Sequence, residues 1–337
     1  MDVAAADAKT AITVSLRKLG LISASDDAVM APLMGGVSSD IWKVELGETT
    51  ICVKRALPRL RVAQLWEAPV ERNRYERLWM QAASAIVPGI TPQVLAGDDG
   101  GFLAMAYLDP AAYPLWKAEL AAGRADAPFA ASVGEAVARI HARTANRSEF
   151  AARFATDASF HAIRLEPYLL ATGRAHPQLA GRLGDLARIT AQNRLALVHG
   201  DVSPKNILVG PGGPVLLDAE CAWYGDPAFD AAFCLNHLLL KCLWVPAARP
   251  GFLACFDAFA ASYLEGVDWE TPEAIEARIA ALLPGLLLAR VDGKSPVEYL
   301  TDDTDKNKVR AVAAALLRDP LRRLEQVRNA WNEAVRT

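Results

Sequence analysis

The stretch Leu197-Val198-His199-Gly200-Asp201-Val202-Ser203-Pro204-Lys205-Asn206-Ile207-Leu208-Val209, followed by Val215-Leu216-Leu217-Asp218, holds the residue types that phosphoryl transfer needs. Asn206 stands five positions after Asp201, and Asp218 stands seventeen after it. A carboxylate at 201 can take the proton of an attacking hydroxyl. An amide oxygen at 206 and a carboxylate at 218 are hard ligands of the kind magnesium takes, one or two at a time beside phosphate oxygens. The transition state of such a transfer is loose, so positioning and charge neutralisation matter more than base strength. Glu220 lies two residues beyond Asp218. On an extended chain the two side chains share a face, which makes Glu220 either a further metal group or a plain surface carboxylate.

Three upstream features could hold a nucleotide. Lys54 ends the apolar run Thr50-Ile51-Cys52-Val53 and could point into a cleft to meet the α- and β-phosphates. A glutamate on the charged segment that follows should pair with it. Glu76 is the choice, because Leu78, Trp79 and Ala82 put an apolar face beside it; Glu71 is the alternative. Arg72, Arg74 and Arg77 offer both glutamates local partners as well. Met34-Gly35-Gly36-Val37-Ser38-Ser39 is a candidate phosphate cover. Gly35 and Gly36 would let backbone amides approach an anion and Ser38 would add a hydroxyl, though a hairpin turn explains the string equally well. Ala104-Met105-Ala106-Tyr107 is expected to be a hinge, where backbone groups around Met105 and Tyr107 could meet a base.

Hydrophobic periodicity places these residues on elements. A helix is expected over 7–20, an antiparallel meander over 31–54, a charged helix over 70–84, and strands over 91–98 and 101–108 joined by Asp98-Asp99-Gly100-Gly101. Pro110 and Pro114 mark a break. Helical segments follow over 130–143, 179–193, 230–244, 250–264, 272–289 and 306–335, with the catalytic stretch as a small β insert between the second and third. The fold class is α+β: a nucleotide-binding unit over 1–106 with a small antiparallel sheet, then a mostly helical unit over 107–337 carrying the catalytic loop and the acceptor site.

Composition excludes other classes. A chain of 337 residues with 52% hydrophobic content can bury a large core. A net charge of −3 without long runs of one sign argues against a nucleic-acid groove. The five cysteines include no C-x-x-C pair and read as reduced, buried thiols. Charges at Asp2, Asp7, Lys9, Arg17 and Lys18 rule out a signal peptide. The most apolar run, 231–245, contains Asn236, His237 and Lys241 and reads as a buried helix rather than a membrane span. A cytoplasmic protein, monomer or homodimer, is expected, with a small hydroxylated molecule as its partner. Two motif look-alikes fail. Gly293-Lys294-Ser295 has Leu288 where a P-loop needs glycine, and the Asp302–Asn307 string has Lys308 where a calcium loop needs glycine. His141, His161, His176 and His237 show no metal-ligand spacing.

Taken together, these residues resemble the aminoglycoside phosphotransferase-like family of small-molecule kinases, which includes aminoglycoside, choline, homoserine and methylthioribose kinases. The likeness runs from about Met34 to about Leu240. It is carried by His199-Gly200-Asp201 with Asn206, by Asp218-Ala219-Glu220, and by Gly225-Asp226-Pro227-Ala228-Phe229-Asp230. It implies a bilobal protein-kinase-like fold, ATP (possibly GTP) with magnesium, and phosphate transfer to a hydroxyl. It further implies that Asp230 ties the catalytic segment to a buried helix and that His199 supports the loop. Protein kinases carry glycine where Glu220 stands and a lysine where Ser203 stands. Twelve positions from Asp218 to Asp230 leave no room for a peptide-binding segment, so a small acceptor is expected. Residues 218–230 resemble methylthioribose kinases and, less closely, choline kinases, so a sugar and an amino alcohol are both open. The acceptor pocket is expected near Trp223, Tyr224, Asn236, His237 and Trp244, though each of these taken singly is more often core packing. The competing readings are a catalytically inactive nucleotide-binding module, against which Lys54, Asp201, Asn206 and Asp218 argue together, and nucleotidyl transfer on the same fold.

Overall fold

The computed structural model describes residues 3–23, 28–33, 39–57 and 71–336. It divides into two units, Met1–Asp109 and Pro110–Thr337.

The first unit is built on a five-stranded antiparallel sheet in the order β1-β2-β3-β5-β4. Its strands are β1 (Val29–Pro32), β2 (Ser39–Leu46), β3 (Thr49–Ala56), β4 (Val94–Gly97) and β5 (Phe102–Ala106). Strand alternation sorts the side chains. Trp42, Val44, Ile51, Val53, Phe102 and Ala104 join Ile12 and Leu16 of the helix Val3–Lys18 in one core. Each such aliphatic side chain contributes about 1.5–3 kcal/mol by leaving water. Lys54 falls between Val53 and the next core-facing position and so projects from the opposite face, where the helix Arg72–Ile86 lies. The Asp98-Gly101 turn forms as expected: the Asp98 carboxylate accepts the N–H groups of Gly100 at 2.9 Å and Phe102 at 3.0 Å.

The second unit is mostly helical. Nearly every residue of the helix Ala228–Trp244 is buried, packed between Arg249–Glu265 and Pro272–Asp292. Ala127–Thr144 crosses Arg249–Glu265 at close range. A Cβ on Gly134 would stand 2.5 Å from the Phe259 carbonyl oxygen, so only glycine permits that approach. The single helix expected over 306–335 is two, Asp303–Arg318 and Leu324–Ala334. Pro320 in the gap has no N–H to continue the ladder. Asp302 caps the first of them, accepting the Thr304 N–H at 2.6 Å. The 196–225 segment forms two small ribbons: β6 (Ala196–Val198) with β9 (Trp223–Gly225), and β7 (Ile207–Gly210) with β8 (Gly213–Leu216). No helix among the described residues is long and apolar enough to cross a membrane.

Candidate active site

In the first unit, Lys54 Nζ lies 2.7 Å from Glu76 Oε2, and the two side chains are only 4% and 2% exposed. Glu76 sits one turn into its helix on the inward face, whereas Glu71 precedes the helix and is exposed. The helix start is fastened to the sheet side by Arg72, which donates to the Leu57 carbonyl at 2.6 Å, and by Asn73, which donates to the Gly101 carbonyl at 2.9 Å. Met105 is buried in β5 opposite Cys52. The Ala106 N–H that follows it is taken by the Gln93 carbonyl at 2.8 Å. Tyr107 follows the strand, with the Lys43 ammonium 5.3 Å from its ring centre. Gly35, Gly36 and Ser38 lie outside the described residues.

In the second unit, the loop after β6 is anchored from below. Asp230, on the first turn of the Ala228–Trp244 helix, accepts the N–H groups of His199 and Gly200, each at 2.7 Å. His141 Nε2 lies 3.2 Å from the same carboxylate. Gly200 has φ +80°, and a Cβ there would meet Cys221 at 2.8 Å, so the turn requires glycine. His199 bridges two segments: its Nδ1 accepts the Asp201 N–H at 3.1 Å and its Nε2 donates to the Leu217 carbonyl at 3.1 Å. That pattern needs the neutral ring. Burial, which outweighs the neighbouring carboxylates, indeed holds the imidazole below its ordinary pKa.

Asp201 is buried within a ring of donors. Arg164 Nη2 stands 2.9 Å from its Oδ2, Lys205 Nζ 3.1 Å from the same atom, and Ser203 Oγ 3.4 Å from Oδ1. Burial pushes the carboxyl upward, but Lys205 and Arg164 outweigh it and hold Asp201 below the usual carboxylate range. The group is therefore ionised at neutral pH. Asn206 donates its amide N–H to the Asp201 carbonyl at 3.1 Å, which leaves the amide oxygen as its outward atom. The Leu217 N–H, donated to the Asn206 carbonyl at 2.8 Å, brings Asp218 beside this amide. Asp218 adopts φ +67°, a left-handed conformation that costs a non-glycine residue about 1–3 kcal/mol and recurs at functional sites. Its carboxylate opposes the two cations in their effect on Asp201. Glu220, half-buried, follows two residues on.

The structure thus brings Asp201, Asn206 and Asp218 to one loop cluster. The oxygens of Asn206 and Asp218, with Glu220 near, are too few to enclose a metal alone. They suit magnesium, which completes its octahedron with water and phosphate oxygens.

Two residues at this cluster escaped the sequence reading. Lys205 was in plain view, four positions after Asp201. Arg164 comes from the π-helical segment His161–Leu170, where its Nε donates to the Gly200 carbonyl; no spacing links it to the loop. Of the residues weighed for an acceptor pocket, two aromatic ones are core packing, the commoner reading for such side chains. Trp223 stacks on Phe160 at 4.2 Å and donates to Asp157 at 3.0 Å. Tyr224 donates to the Leu195 carbonyl at 2.8 Å and accepts the Arg147 N–H at 3.0 Å. Asn236 is buried and donates to the Phe233 carbonyl. His237 borders a cavity beside Lys205, and Trp244 lies one layer behind it, against Lys241 and Tyr299.

Comparison with known proteins agrees with this geometry. A family model described as "Phosphotransferase enzyme family" matches residues 29–273. The methylthioribose kinase of Pectobacterium atrosepticum is 26% identical over 273 residues, covering 72% of this chain and 67% of that one. That of Erwinia tasmaniensis is 26% identical over 231 residues, covering 60% of this chain and 57% of its own length. Among solved structures, Plasmodium vivax ethanolamine kinase superposes with a TM-score of 0.51 at 12% identity, covering 90% of this chain and 83% of that one. A spectinomycin phosphotransferase, solved with ADP and spectinomycin, gives 0.50 at 10% identity, covering 97% and 96%. These two likenesses establish the fold. With the family match spanning most of its length, the chain belongs to the phosphotransferase enzyme family, and the relatives it matches are small-molecule kinases.

Proposed function

We propose that this protein is an ATP-dependent kinase that transfers the γ-phosphoryl group to a hydroxyl of a small acceptor, with GTP as the alternative donor. The observation that carries the reading is the convergence of Asp201, Asn206 and Asp218 on a loop whose backbone is fixed by Asp230 and His199. In this reading the acceptor oxygen forms a bond to the γ-phosphorus, the bond to the β–γ bridging oxygen breaks, and ADP leaves. The hydroxyl proton passes to Asp201. A carboxylate held ionised by two cations is a weak base, which suits a loose transition state in which the proton moves late.

Asn206 and Asp218, with Glu220 within reach, would hold magnesium, which when bound neutralises charge on the β- and γ-phosphates. Lys54, oriented by Glu76, would neutralise phosphate charge from the first unit's residues, and Met105 and Tyr107 would border the base. Lys205 is half-exposed beside Asp201 and can follow charge as it develops on the transferred group. The inactive-module alternative has no observation in its favour. The test is an ATP-consumption screen over neutral, cationic and anionic hydroxyl compounds, with mass spectrometry of the product. A gain of one phosphate supports the reading; a gain of AMP, or no binding of either ATP or GTP, rejects it.

A further inference from the structure

A cavity in the second unit borders the catalytic loop at Pro204 and Lys205. Four cations line it: Lys117, Lys205, Lys241 and Arg290. A single carboxylate, Glu298, lines it with them, and it is already paired with Lys117 at the exposed rim. Lys205 is engaged by Asp201. The other two cations are the buried ones, Lys241 at 1% exposure and Arg290 at 6%. Neither forms an ion pair with a described residue. The Lys241 ammonium rests against the rings of Tyr299 at 3.7 Å and Trp244 at 4.0 Å. Arg290 donates to the Tyr168 hydroxyl at 3.1 Å and to Ser295 Oγ at 3.0 Å.

A second observation points the same way. Among the described residues, His237 Nε2, Arg290 Nε and Tyr299 Oη are buried polar atoms without a hydrogen-bond partner, and all three residues line this cavity. Buried polar groups are normally satisfied, so three unsatisfied ones on one cavity call for a polar occupant. An unpaired buried ammonium beside a guanidinium is likewise costly unless an anion joins it.

We propose that this cavity receives the charged end of the acceptor and that the acceptor is anionic: a small hydroxylated metabolite whose carboxylate or phosphate group docks against Lys241 and Arg290. The proposal deepens the kinase reading and takes its chemistry from it, while the preference for an anion rests on the cavity alone. A cationic acceptor, such as an aminoglycoside or an amino alcohol, would meet the positive Lys117, Lys205 and Arg290 beside the Lys241 amine, with one carboxylate already in use. A neutral sugar would bring no counter-charge to the buried Arg290 and Lys241. The state of that amine fits the argument. Burial, then Lys117, lowers its pKa to about 6, with Arg290 acting in the same sense and Glu298 against it. The site therefore waits for the charge that would restore the ammonium.

The test uses titration calorimetry on the full chain with four probes: ribonate, inorganic phosphate, the neutral sugar ribose and the cation choline. At least one anion is expected to bind about tenfold or more tightly than ribose and choline. The stronger of the two anions tells carboxylate from phosphate. Lys241→Met and Arg290→Met should each weaken that anion by about tenfold or more, and Lys241→Arg should retain it. ATP affinity, measured separately on every protein, reports folding and judges the kinase reading on its own. Ribose or choline binding as tightly as both anions, neither anion binding, or anion affinity indifferent to both methionine variants overturns the proposal. The ranking in the unmodified protein decides even where a variant fails to fold.

Discussion

The Lys54–Glu76 pair offers the sharpest separation of structural from nucleotide-binding roles. Its members are 2.7 Å apart and almost wholly withdrawn from water. The surroundings are apolar enough that burial pushes the neighbouring Cys52 thiol up to about 12. Removing one member of such a pair strands the other charge and costs about 3–5 kcal/mol, whereas replacing both with apolar residues of similar volume is often neutral or stabilising. Against a domain stability of roughly 5–15 kcal/mol, either single loss is large. We therefore expect Lys54→Met and Glu76→Leu each to lose about 3–5 kcal/mol in urea unfolding, and the double variant to lose less than either single. Nucleotide affinity should behave differently. If Lys54 contacts phosphate, Lys54→Met and the double variant are both weakened toward ATP, because methionine brings no charge even where the fold is restored. Glu76→Leu should fall between them and the unmodified chain. Singles that cost under about 1 kcal/mol and add linearly would refute the buried-pair argument. A double variant that regains both stability and ATP affinity would refute the phosphate role.

Asp201→Asn should lower turnover by about 10²–10⁴ while ATP affinity persists, as read by coupled ADP release and calorimetry. Because Lys205 and Arg164 depress the Asp201 carboxyl, turnover should show no acid limb from this group as pH falls from neutral to about 5. Arg164→Gln leaves the upward push of burial less opposed, so the limb should move to higher pH in a pH–rate profile. An unmoved limb would show that Arg164 serves only to pack the loop. Gly200→Ala forces a left-handed alanine against Cys221 and should cost roughly 2–5 kcal/mol in unfolding, with turnover falling as the loop shifts. Anion binding at pH 8 should take up about one proton, seen as a dependence of the binding heat on buffer ionisation enthalpy, because pH 8 lies well above the Lys241 pKa of about 6, so the amine starts deprotonated and gains its charge with the ligand.

What the sequence revealed was what the chain places close together. Asp201, Asn206, Asp218 and Glu220 span twenty residues, and turns and short strands bring such neighbours into one cluster without help from the rest of the fold. The Lys54–Glu76 pairing was readable because strand alternation and helix periodicity each select an inward residue. The break at Pro320 was visible as a residue but masked by the apolar pattern on both sides, since Val309, Val312, Ala313 and Leu316 before it and Leu324, Val327 and Trp331 after it all face the core. Trp223 and Tyr224 could be read either way because an aromatic ring suits a pocket and a core alike, and the pairing of β9 with β6 turns these two inward.

The charge of the acceptor belongs to a different order of information. Lys117, Lys205, Lys241 and Arg290 come from three separate helices and a loop, with no common spacing, and the whole chain carries a net −3 that points the opposite way. Net charge governs solubility and long-range steering, while recognition follows the few charges that share a low-dielectric cavity with the ligand. The cations around Asp201 are engaged by its carboxylate and so give the loop no means to choose among hydroxyl compounds. Lys241 and Arg290, buried and facing no carboxylate of their own, are the charges left to choose among hydroxyl compounds. On that proposal, selectivity in this chain is a matter of counter-charge more than of shape. Exchanging Lys241 for a carboxylate, as Lys241→Glu, should accordingly turn the preference in the four-probe titration away from ribonate and phosphate and toward choline, with ATP affinity retained.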